Sequence, residues 1–383
     1  MSGLYVHVPF CVKKCAYCDF FSVPPELASV KPKEYLKLLD MEAKLYSDIF
    51  RNTAFSTVFI GGGTPSLFSP TEIEELFNLL HENFKIDSNA EITFEANPGT
   101  LTAEKIESFV KSGANRASIG LQSASDTLLR SVGRIHTFSE FLTSISLLRS
   151  ANITNINTDI MYGFPNQTMD DLKNTLNAVI SLDIPHISAY SLILEENTPL
   201  FERVSAGIVS MPDEDFLYAM DKLVQKRLSD AGYMRYEVSG YAKDGAFCAH
   251  NLNYWHNGEY LGLGAASHSS LREIEDGFLH RHANAPDLSY YKNKLLSAEK
   301  PIDELETVSR HDEMFEFIML GLRLTTGIET REFSSRFSVS IFDIYGTAID
   351  ALVSRGLLSV NSERIVTTDR GFDLLNMVIL EFA

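Results

Sequence analysis

The chain has 383 residues, of which 45% are hydrophobic and 22% are charged, and its formal net charge is −18. This balance is typical of a globular protein with enough apolar side chains for one large domain and one smaller domain. The acidic surface argues against nucleic acid as a partner, because phosphate binding requires basic stripes. The sequence shows no secretory signal and no apolar run of about 18–20 residues, so we expect a cytoplasmic protein without stable membrane insertion.

Short apolar segments alternate with longer helical patterns through the first two-thirds of the chain. The six predicted strands are residues 4–8, 57–61, 91–95, 116–119, 155–160 and 186–192. The predicted helices are residues 33–50, 71–83, 102–112, 125–132, 138–150, 169–182 and 212–231. Ser69, three residues before Glu72, predicts an N-terminal cap for the second helix. Because each parallel strand pair needs a crossover, six strand–helix units predict an open, partial α/β barrel rather than a closed eight-stranded one.

The character of the sequence changes near residue 300, which predicts two domains, residues 1–299 and 300–383. Residues 301–311 are predicted to be a linker between them. Beyond it lie helical patterns at 312–323, 333–337, 343–355 and 371–382, and short strands at 358–360 and 364–367. Helices followed by a hairpin are typical of a winged-helix-like α+β domain. The acidic composition favours a structural or partner-docking role for it over nucleic-acid binding.

Three of the four cysteines lie close together, in the C-x3-C-x2-C spacing of Cys11, Cys15 and Cys18. Such spacing indicates ligation of a metal or a cluster rather than a disulfide framework. Zinc sites and ferredoxin clusters normally have four protein ligands, so three cysteines favour a [4Fe–4S] cluster whose fourth iron is open. That iron can chelate the amino and carboxylate groups of S-adenosylmethionine (SAM). The alternatives are a zinc site completed by His7 and, for the isolated Cys248, a free thiol.

Polar and glycine residues follow several predicted strands and suit a ligand site. The glycine run after the second strand allows close approach of a ligand to the backbone. A carboxylate such as Glu95, at the end of the third strand, can hydrogen-bond ribose hydroxyls. Because the carboxyl ends of parallel strands meet at one face, we expect these residues to share one pocket. The candidates are Gly62, Gly63, Thr64, Glu95, Gln122, Arg134 and Asp159.

Together these motifs resemble the HemN/HemW group of radical SAM proteins over nearly the whole chain. The resemblance rests on residues 5–20, 61–65, 95–98, 120–123, 133–136 and 159–163. It implies a partial (β/α)6 radical SAM barrel with a small winged-helix-like α+β C-terminal domain. The SAM site that it implies consists of Tyr5, the backbone of Gly62, Gly63 and Thr64, and the side chains of Glu95, Gln122, Arg134 and Asp159. In the oxidase branch of the group a second SAM lies nearby, and the residues that match its contacts are Tyr17, Gly63, Thr64, Gln122, Arg134 and Asp159.

Two features separate the branches of this group. The oxygen-independent coproporphyrinogen III oxidases have the cysteine spacing C-x3-C-x2-C-x-C and carry an N-terminal arm before the first strand. Here Phe20 stands in the place of the extra cysteine and four residues precede Tyr5, which counts against decarboxylase activity. The segment Cys18-Asp19-Phe20 is instead similar to the heme chaperone branch.

A later segment, His250-Asn251-Leu252-Asn253-Tyr254-Trp255, is similar to one that is typical of the chaperone branch and linked there to heme. It offers an imidazole that can ligate iron and two aromatic rings that can face a porphyrin, so His250, Tyr254 and Trp255 are heme candidates. The alternatives are a hydrogen-bonded structural His250 and a Cys248 thiolate as the iron ligand.

The sequence and the resemblance together predict a heme chaperone with three bound groups, the cluster, SAM and heme, and with no residue assigned to catalysis. Its partners would be heme or a porphyrin and a heme-acceptor protein, for which a respiratory enzyme is one candidate, and a homodimer is compatible with the resemblance. The alternative activities are oxidative decarboxylation of coproporphyrinogen III and radical SAM chemistry on another substrate.

Overall fold

The computed structural model describes residues 2–272 and 277–383, and its main feature is a mixed sheet of 12 strands within those residues. The six central strands are parallel and adjacent in chain order. They are β1 (Ser2–Val8), β2 (Ala54–Gly62), β3 (Lys85–Ala96), β4 (Arg116–Gln122), β5 (Asn155–Tyr162) and β6 (His186–Ser191). The helices between them are α1 (Pro32–Ser47), α2 (Pro70–Asn83), α3 (Ala103–Lys111), α4 (Asp126–Ser131), α5 (Phe138–Ser150) and α6 (Met169–Ser181). This alternation confirms the predicted partial (β/α)6 barrel.

Local capping explains where the crossover helices begin. At the start of α2, the Glu72 backbone N–H donates to Ser69 Oγ at 3.3 Å, and the Ser69 N–H donates to the Glu72 carboxylate at 2.8 Å. This reciprocal pair gives acceptors to two backbone N–H groups that the start of the helix would otherwise leave without partners. The predicted cap at Ser69 is therefore confirmed, and Thr137 and Thr168 begin α5 and α6 in the same way.

Further strands extend both edges of the parallel array, after α7 (Pro199–Ser205) and α8 (Glu214–Asp230). Beside β6 lie the antiparallel strands β8 (Gly240–Ala242) and β7 (Met234–Arg235). Beside β1 lie, in order outward, β9 (Glu259–Leu263), β10 (His268–Arg272), β11 (Leu279–Asn284) and β12 (Ile302–Val308). The helices of this region are α9 (Ala249–Trp255) and α10 (Leu288–Leu296).

The predicted linker at residues 301–311 is wrong. Residues Ile302–Val308 form β12, which pairs with β11, and the next helix begins at Arg310. Most side chains of β12 are exposed, and β12 is the edge strand of the sheet. Charged residues are common on edge strands, where they discourage pairing with other chains. The composition of an edge strand therefore resembles that of a loop. The division into two domains stays a prediction, and β12 favours a boundary after Val308 instead of one near residue 300.

The C-terminal part has an apolar core of its own, which includes Ile318, Phe333 and Leu352. It is built from α11 (Arg310–Gly321), β13 (Ile328–Glu329), α12 (Thr330–Phe337), α13 (Ile341–Ser354), β14 (Leu358–Val360), β15 (Arg364–Thr367), α14 (Asp369–Asp373) and α15 (Leu375–Leu380). Its three strands form a separate sheet in the order β13-β15-β14, which agrees with the predicted helix-and-hairpin arrangement. The single last helix that was predicted is two short helices. None of the helices in the described residues has both the length and the apolar composition needed to span a bilayer.

Candidate functional site

A cavity of about 530 Å³ lies inside the partial barrel, between the loop of clustered cysteines and the inner face of the sheet. It reaches from the carboxyl ends of the parallel strands to their starting ends, where α9 lines it. The predicted site residues that line it are Tyr5, Cys11, Cys15, Tyr17, Cys18, Gly62, Gly63, Glu95, Gln122, Arg134, Asp159, His250 and Tyr254. Thr64 and Trp255 are not part of its lining. The fold thus places the candidate cluster, SAM and heme residues around one space.

The cysteine loop follows β1 and is held by hydrogen bonds to other parts of the barrel. The Cys11 N–H donates to Val23 O at 3.1 Å, and the Ala16 N–H donates to Val132 O at 2.8 Å. Thr64 Oγ1 lies 3.2 Å from the Cys11 thiol, so this predicted SAM residue contacts the loop from outside the cavity. Burial raises the pKa of Cys18 to about 11. Iron binding must therefore displace a proton from this thiol.

The geometry around His7 counts against a zinc site that this residue would complete. The His7 Nε2–H donates to Phe21 O at 2.9 Å, and Nδ1 accepts from the Tyr5 hydroxyl at 3.1 Å. Burial lowers the pKa of His7 to about 4, so the ring is neutral and both nitrogens are already engaged. Among the residues that the structure describes, no three Cys, His, Asp or Glu side chains converge as they would around a single ion. The donor set of three half-buried thiols facing one cavity fits a cubane, which is bound through cysteine thiolates.

The glycine run after β2 forms a cradle in which side chains would not fit. A Cβ on Gly63 would lie 2.6 Å from Phe10 O, and Gly62 has a φ of 103°, which disfavours other residues. The Gly62 N–H donates to Glu95 Oε2 at 3.1 Å. Burial and the nearby charge of Asp159 raise the pKa of Glu95 to about 8, so this carboxyl is mostly protonated at neutral pH before a ligand binds.

Two predicted SAM residues carry buried polar atoms that have no hydrogen-bond partner within residues 2–272 and 277–383. They are Gln122 Oε1 and Arg134 Nε. The terminal nitrogens of Arg134 are fixed, since they donate to Asn97 Oδ1 at 2.8 Å and to Gly120 O at 3.2 Å. A buried polar atom without a partner destabilises a protein, so such atoms on a cavity wall indicate a polar ligand. The residues present therefore fit SAM, which offers both donors and acceptors.

His250 lies on α9, at the end of the cavity opposite the strands' carboxyl ends. Its Nδ1 lies 2.8 Å from Thr57 Oγ1, its Nε2 lies 2.8 Å from the Tyr254 hydroxyl, and its ring stacks on Phe59. Burial lowers the pKa of His250 to about 3, which keeps the imidazole neutral. Neutral imidazole is the form that ligates metals. In this conformation the residue is fully hydrogen-bonded, and Tyr254 must release Nε2 before it can bind iron.

Trp255 does not join the other two heme candidates in the cavity. Its ring lies 5.9 Å from the guanidinium of Arg323, which follows α11 in the C-terminal part. An α-helix turns by about 100° per residue, so adjacent residues such as Tyr254 and Trp255 point in different directions. A role for Trp255 in heme binding stays a prediction.

Several cavity residues were not predicted from the sequence, and the strands provide some of them at their starts, middles and ends. Arg116 begins β4, and Asn157 lies on β5, where its Nδ2 donates to Asp159 Oδ1 at 2.8 Å. Tyr190 and Ile193 line the mouth of the cavity near the end of β6. The signal that could have identified Arg116 is a charged residue at the start of a strand whose next five residues are apolar or small.

Comparisons with known proteins agree with this architecture. Residues 5–179 match the model of the radical SAM superfamily, and residues 308–374 match that of the HemN C-terminal domain. The heme chaperone HemW of Lactococcus lactis is 35% identical over 382 residues, which cover 100% of this chain and 97% of that protein. The HemW of Haemophilus influenzae is 34% identical, with 98% and 96% covered, and that of Escherichia coli is 32% identical, with 98% and 97% covered.

A solved structure extends the likeness to the whole fold. The coproporphyrinogen III oxidase HemN of Escherichia coli, a radical SAM enzyme, matches with a TM-score of 0.86 and 22% sequence identity. The match covers 100% of this chain and 89% of that one. At this level of identity the likeness shows the fold and not the activity.

Proposed function

Because the chain belongs to the HemW family of radical SAM proteins, we propose that it is a heme chaperone that binds heme and transfers it to an acceptor protein. The observation that carries the proposal is the position of His250. This neutral, buried imidazole lines the same cavity as the cysteine loop. A cytoplasmic location, a homodimer and a respiratory acceptor remain expectations within the proposal.

We assign the [4Fe–4S] cluster to Cys11, Cys15 and Cys18, and SAM to the glycine cradle and the buried polar groups beside it. When bound, a cluster with an open iron supplies a chelation point for the amino and carboxylate groups of SAM and an electron for it. The chain's own residues position the ligand. Arg134 and Gln122 offer unsatisfied polar atoms, and Glu95, fixed by the Gly62 N–H, faces the cavity.

The mouth of the cavity suits a flat apolar molecule. The side chains of Phe20 and Ile193 are 63% and 69% exposed there, and the half-exposed ring of Tyr190 lies on the same lining. Large exposed apolar side chains around a pocket are typical of a ligand or partner surface. Phe20 is also the residue that replaces the extra cysteine of the oxidase pattern. One position thus supports heme binding and counts against decarboxylation.

The test is heme titration of the anaerobically reconstituted protein, followed by its Soret absorption. We expect binding at stoichiometric heme, and loss of most of it in His250→Ala. His256→Ala is the matched control, because His256 is exposed and directly follows α9. Thermal unfolding of each variant separates loss of heme binding from loss of fold. The absence of any Soret change in the unmodified protein would refute the proposal.

Decarboxylation of coproporphyrinogen III is the second candidate, since the fold matches HemN over the whole chain. It predicts protoporphyrinogen formation from the substrate, SAM and a reductant. A decarboxylase assay on the same reconstituted sample therefore decides between the two functions, and product formation would favour the enzyme.

A further inference from the structure

Arg116 is a buried cation on the cavity wall to which neither the cluster nor the SAM assignment gives a role. Its side chain is 2% exposed, and it lines the cavity. A guanidinium has five N–H donors. Within the part of the chain that the structure describes, Nε has no hydrogen-bond partner, and no other nitrogen of the group donates a hydrogen bond. A buried charge in this state is costly, so the group requires an acceptor. Only Nε is fully enclosed by protein, so the terminal nitrogens are the donors that an acceptor in the cavity can reach.

Neighbouring groups do not satisfy this requirement. The Glu91 carboxylate is the ion-pair partner, but its Oε2 lies 3.9 Å from Arg116 Nε, which is beyond hydrogen-bond distance. Its other oxygen accepts from the His250 backbone N–H at 3.2 Å and from the Cys248 thiol at 3.6 Å. Glu91 is therefore held at the start of α9. Burial raises the pKa of Cys248 to about 12, so this thiol is neutral and supplies no counter-charge.

The position of Arg116 in the chain separates it from the SAM residues at the carboxyl ends of the parallel strands, which form the rim of the cavity. Arg116 begins β4, whereas Gly120 and Gln122 line the cavity at the other end of the same strand. At about 3.3 Å per residue, the four steps to Gly120 correspond to about 13 Å. The base of the Arg116 side chain therefore lies well below the rim, and the charge of its guanidinium acts on both Glu91 and Asp159. Phe59, His250 and Tyr254 surround this deeper region with rings.

We propose that Arg116 anchors a carboxylate of the ligand in the deep part of the cavity, and that this carboxylate is a propionate of heme. The inference rests on the proposed function, since it takes heme as the ligand. A guanidinium matches a carboxylate through two parallel hydrogen bonds, which gives both charge pairing and a fixed orientation. A propionate at Arg116 places the porphyrin in the region that the rings of Phe59, His250 and Tyr254 line.

The test compares Fe(III) protoporphyrin IX with its dimethyl ester, in the same detergent buffer, on the full chain. We expect the unmodified protein to bind the diacid about tenfold more tightly than the ester, in line with one charge-assisted pair. Arg116→Gln should abolish this preference and leave the ester affinity within about twofold. Arg116→Lys should retain part of it. Arg355→Gln is the control, because Arg355 pairs with Glu381 in the C-terminal part and is not part of the cavity lining.

The outcomes are distinguishable. Equal binding of diacid and ester by the unmodified protein would overturn the anchor and leave heme binding intact. An equal loss of both porphyrins in Arg116→Gln would assign the residue a structural role and also overturn it. Failure of both porphyrins to bind the unmodified protein would overturn the proposed function and the anchor with it. If Arg116→Gln does not fold, Glu91→Gln decides, because removing the counter-charge should increase the preference for the diacid, and an unchanged or smaller preference would overturn the anchor.

Discussion

Tyr254→Phe tests whether His250 binds heme iron through Nε2. In the structure this nitrogen lies 2.8 Å from the Tyr254 hydroxyl, while Nδ1 is paired with Thr57 Oγ1. The ring is neutral, and in the tautomer whose Nδ1–H donates to Thr57, Nε2 accepts from Tyr254 and carries the electron pair that iron needs. Heme binding must therefore first break the hydrogen bond from Tyr254.

The magnitude follows from the net value of one such bond, about 1 kcal/mol. Without the hydroxyl, binding no longer costs that bond, and heme affinity should rise about fivefold. The same substitution should lower the free energy of unfolding of the heme-free protein by about 1 kcal/mol, because a buried acceptor loses its donor. The two effects have opposite signs, so a general weakening of the fold cannot imitate them.

The assay is an anaerobic Soret titration, paired with urea unfolding of the heme-free protein. Tyr260→Phe is the matched control, because its ring packs edge-on against Tyr254 with centroids 4.7 Å apart and makes no contact of this kind with His250. Weaker heme binding in Tyr254→Phe would show that the phenol, and not the imidazole, contacts the ligand. Unchanged affinity would refute the assignment of Nε2 as the ligand atom.

Three further predictions concern the cluster, the core and the branch of the family. Alanine at any one of the three loop cysteines should remove most iron and sulfide from reconstituted protein, whereas Cys248→Ala should keep both, as measured by metal analysis. Burial raises the pKa of Glu42 to about 7. The folded chain therefore holds a proton there that the unfolded chain loses near pH 4.5, and stability should fall by roughly 3 kcal/mol between about pH 4.5 and 7. Measured by urea unfolding, the free energy of unfolding of Glu42→Gln should fall less steeply with pH over this range. The same dependence on pH in the variant and the unmodified protein would contradict the prediction. Phe20→Cys should create no decarboxylase activity, and protoporphyrinogen formation by this variant would show that one cysteine separates the branches.

The parallel strands and the rim residues could be predicted because their signals are local. All seven residues of β4 are buried, and such a continuous run between loop residues is typical of a strand covered on both faces. The rim residues directly follow strands whose direction is fixed by the crossover helices, so convergence at one face needs no knowledge of side-chain contacts. Side-chain contacts such as that of Thr64 are not available from this reasoning. The Thr64 hydroxyl contacts the Cys11 thiol, and the predicted SAM contact through the Thr64 backbone stays a prediction.

The edge strands and the deep end of the cavity depend on contacts between distant parts of the chain. The segment predicted as a linker forms β12 because it pairs with β11. The sequence of an exposed strand does not reveal such a pairing. Arg116 was missed for a related reason. Its role depends on α9, which brings His250 and Cys248 to the Glu91 carboxylate and so leaves the guanidinium without an acceptor. No local pattern around β4 predicts where residues more than a hundred positions later will lie.

The unsatisfied atoms of the cavity link its stability to its function. Arg116 Nε, Gln122 Oε1 and Arg134 Nε are buried without partners among the described residues, and all three side chains line the same space. In an ordinary core such atoms would only weaken the fold. On a cavity wall they become hydrogen bonds once a ligand arrives, so part of the free energy lost on folding is recovered on binding. A ligand that binds only the folded state also stabilises it in proportion to the logarithm of its concentration. Rigid, unpaired donors and acceptors therefore favour a site formed before the ligand enters, and they select ligands whose polar groups match.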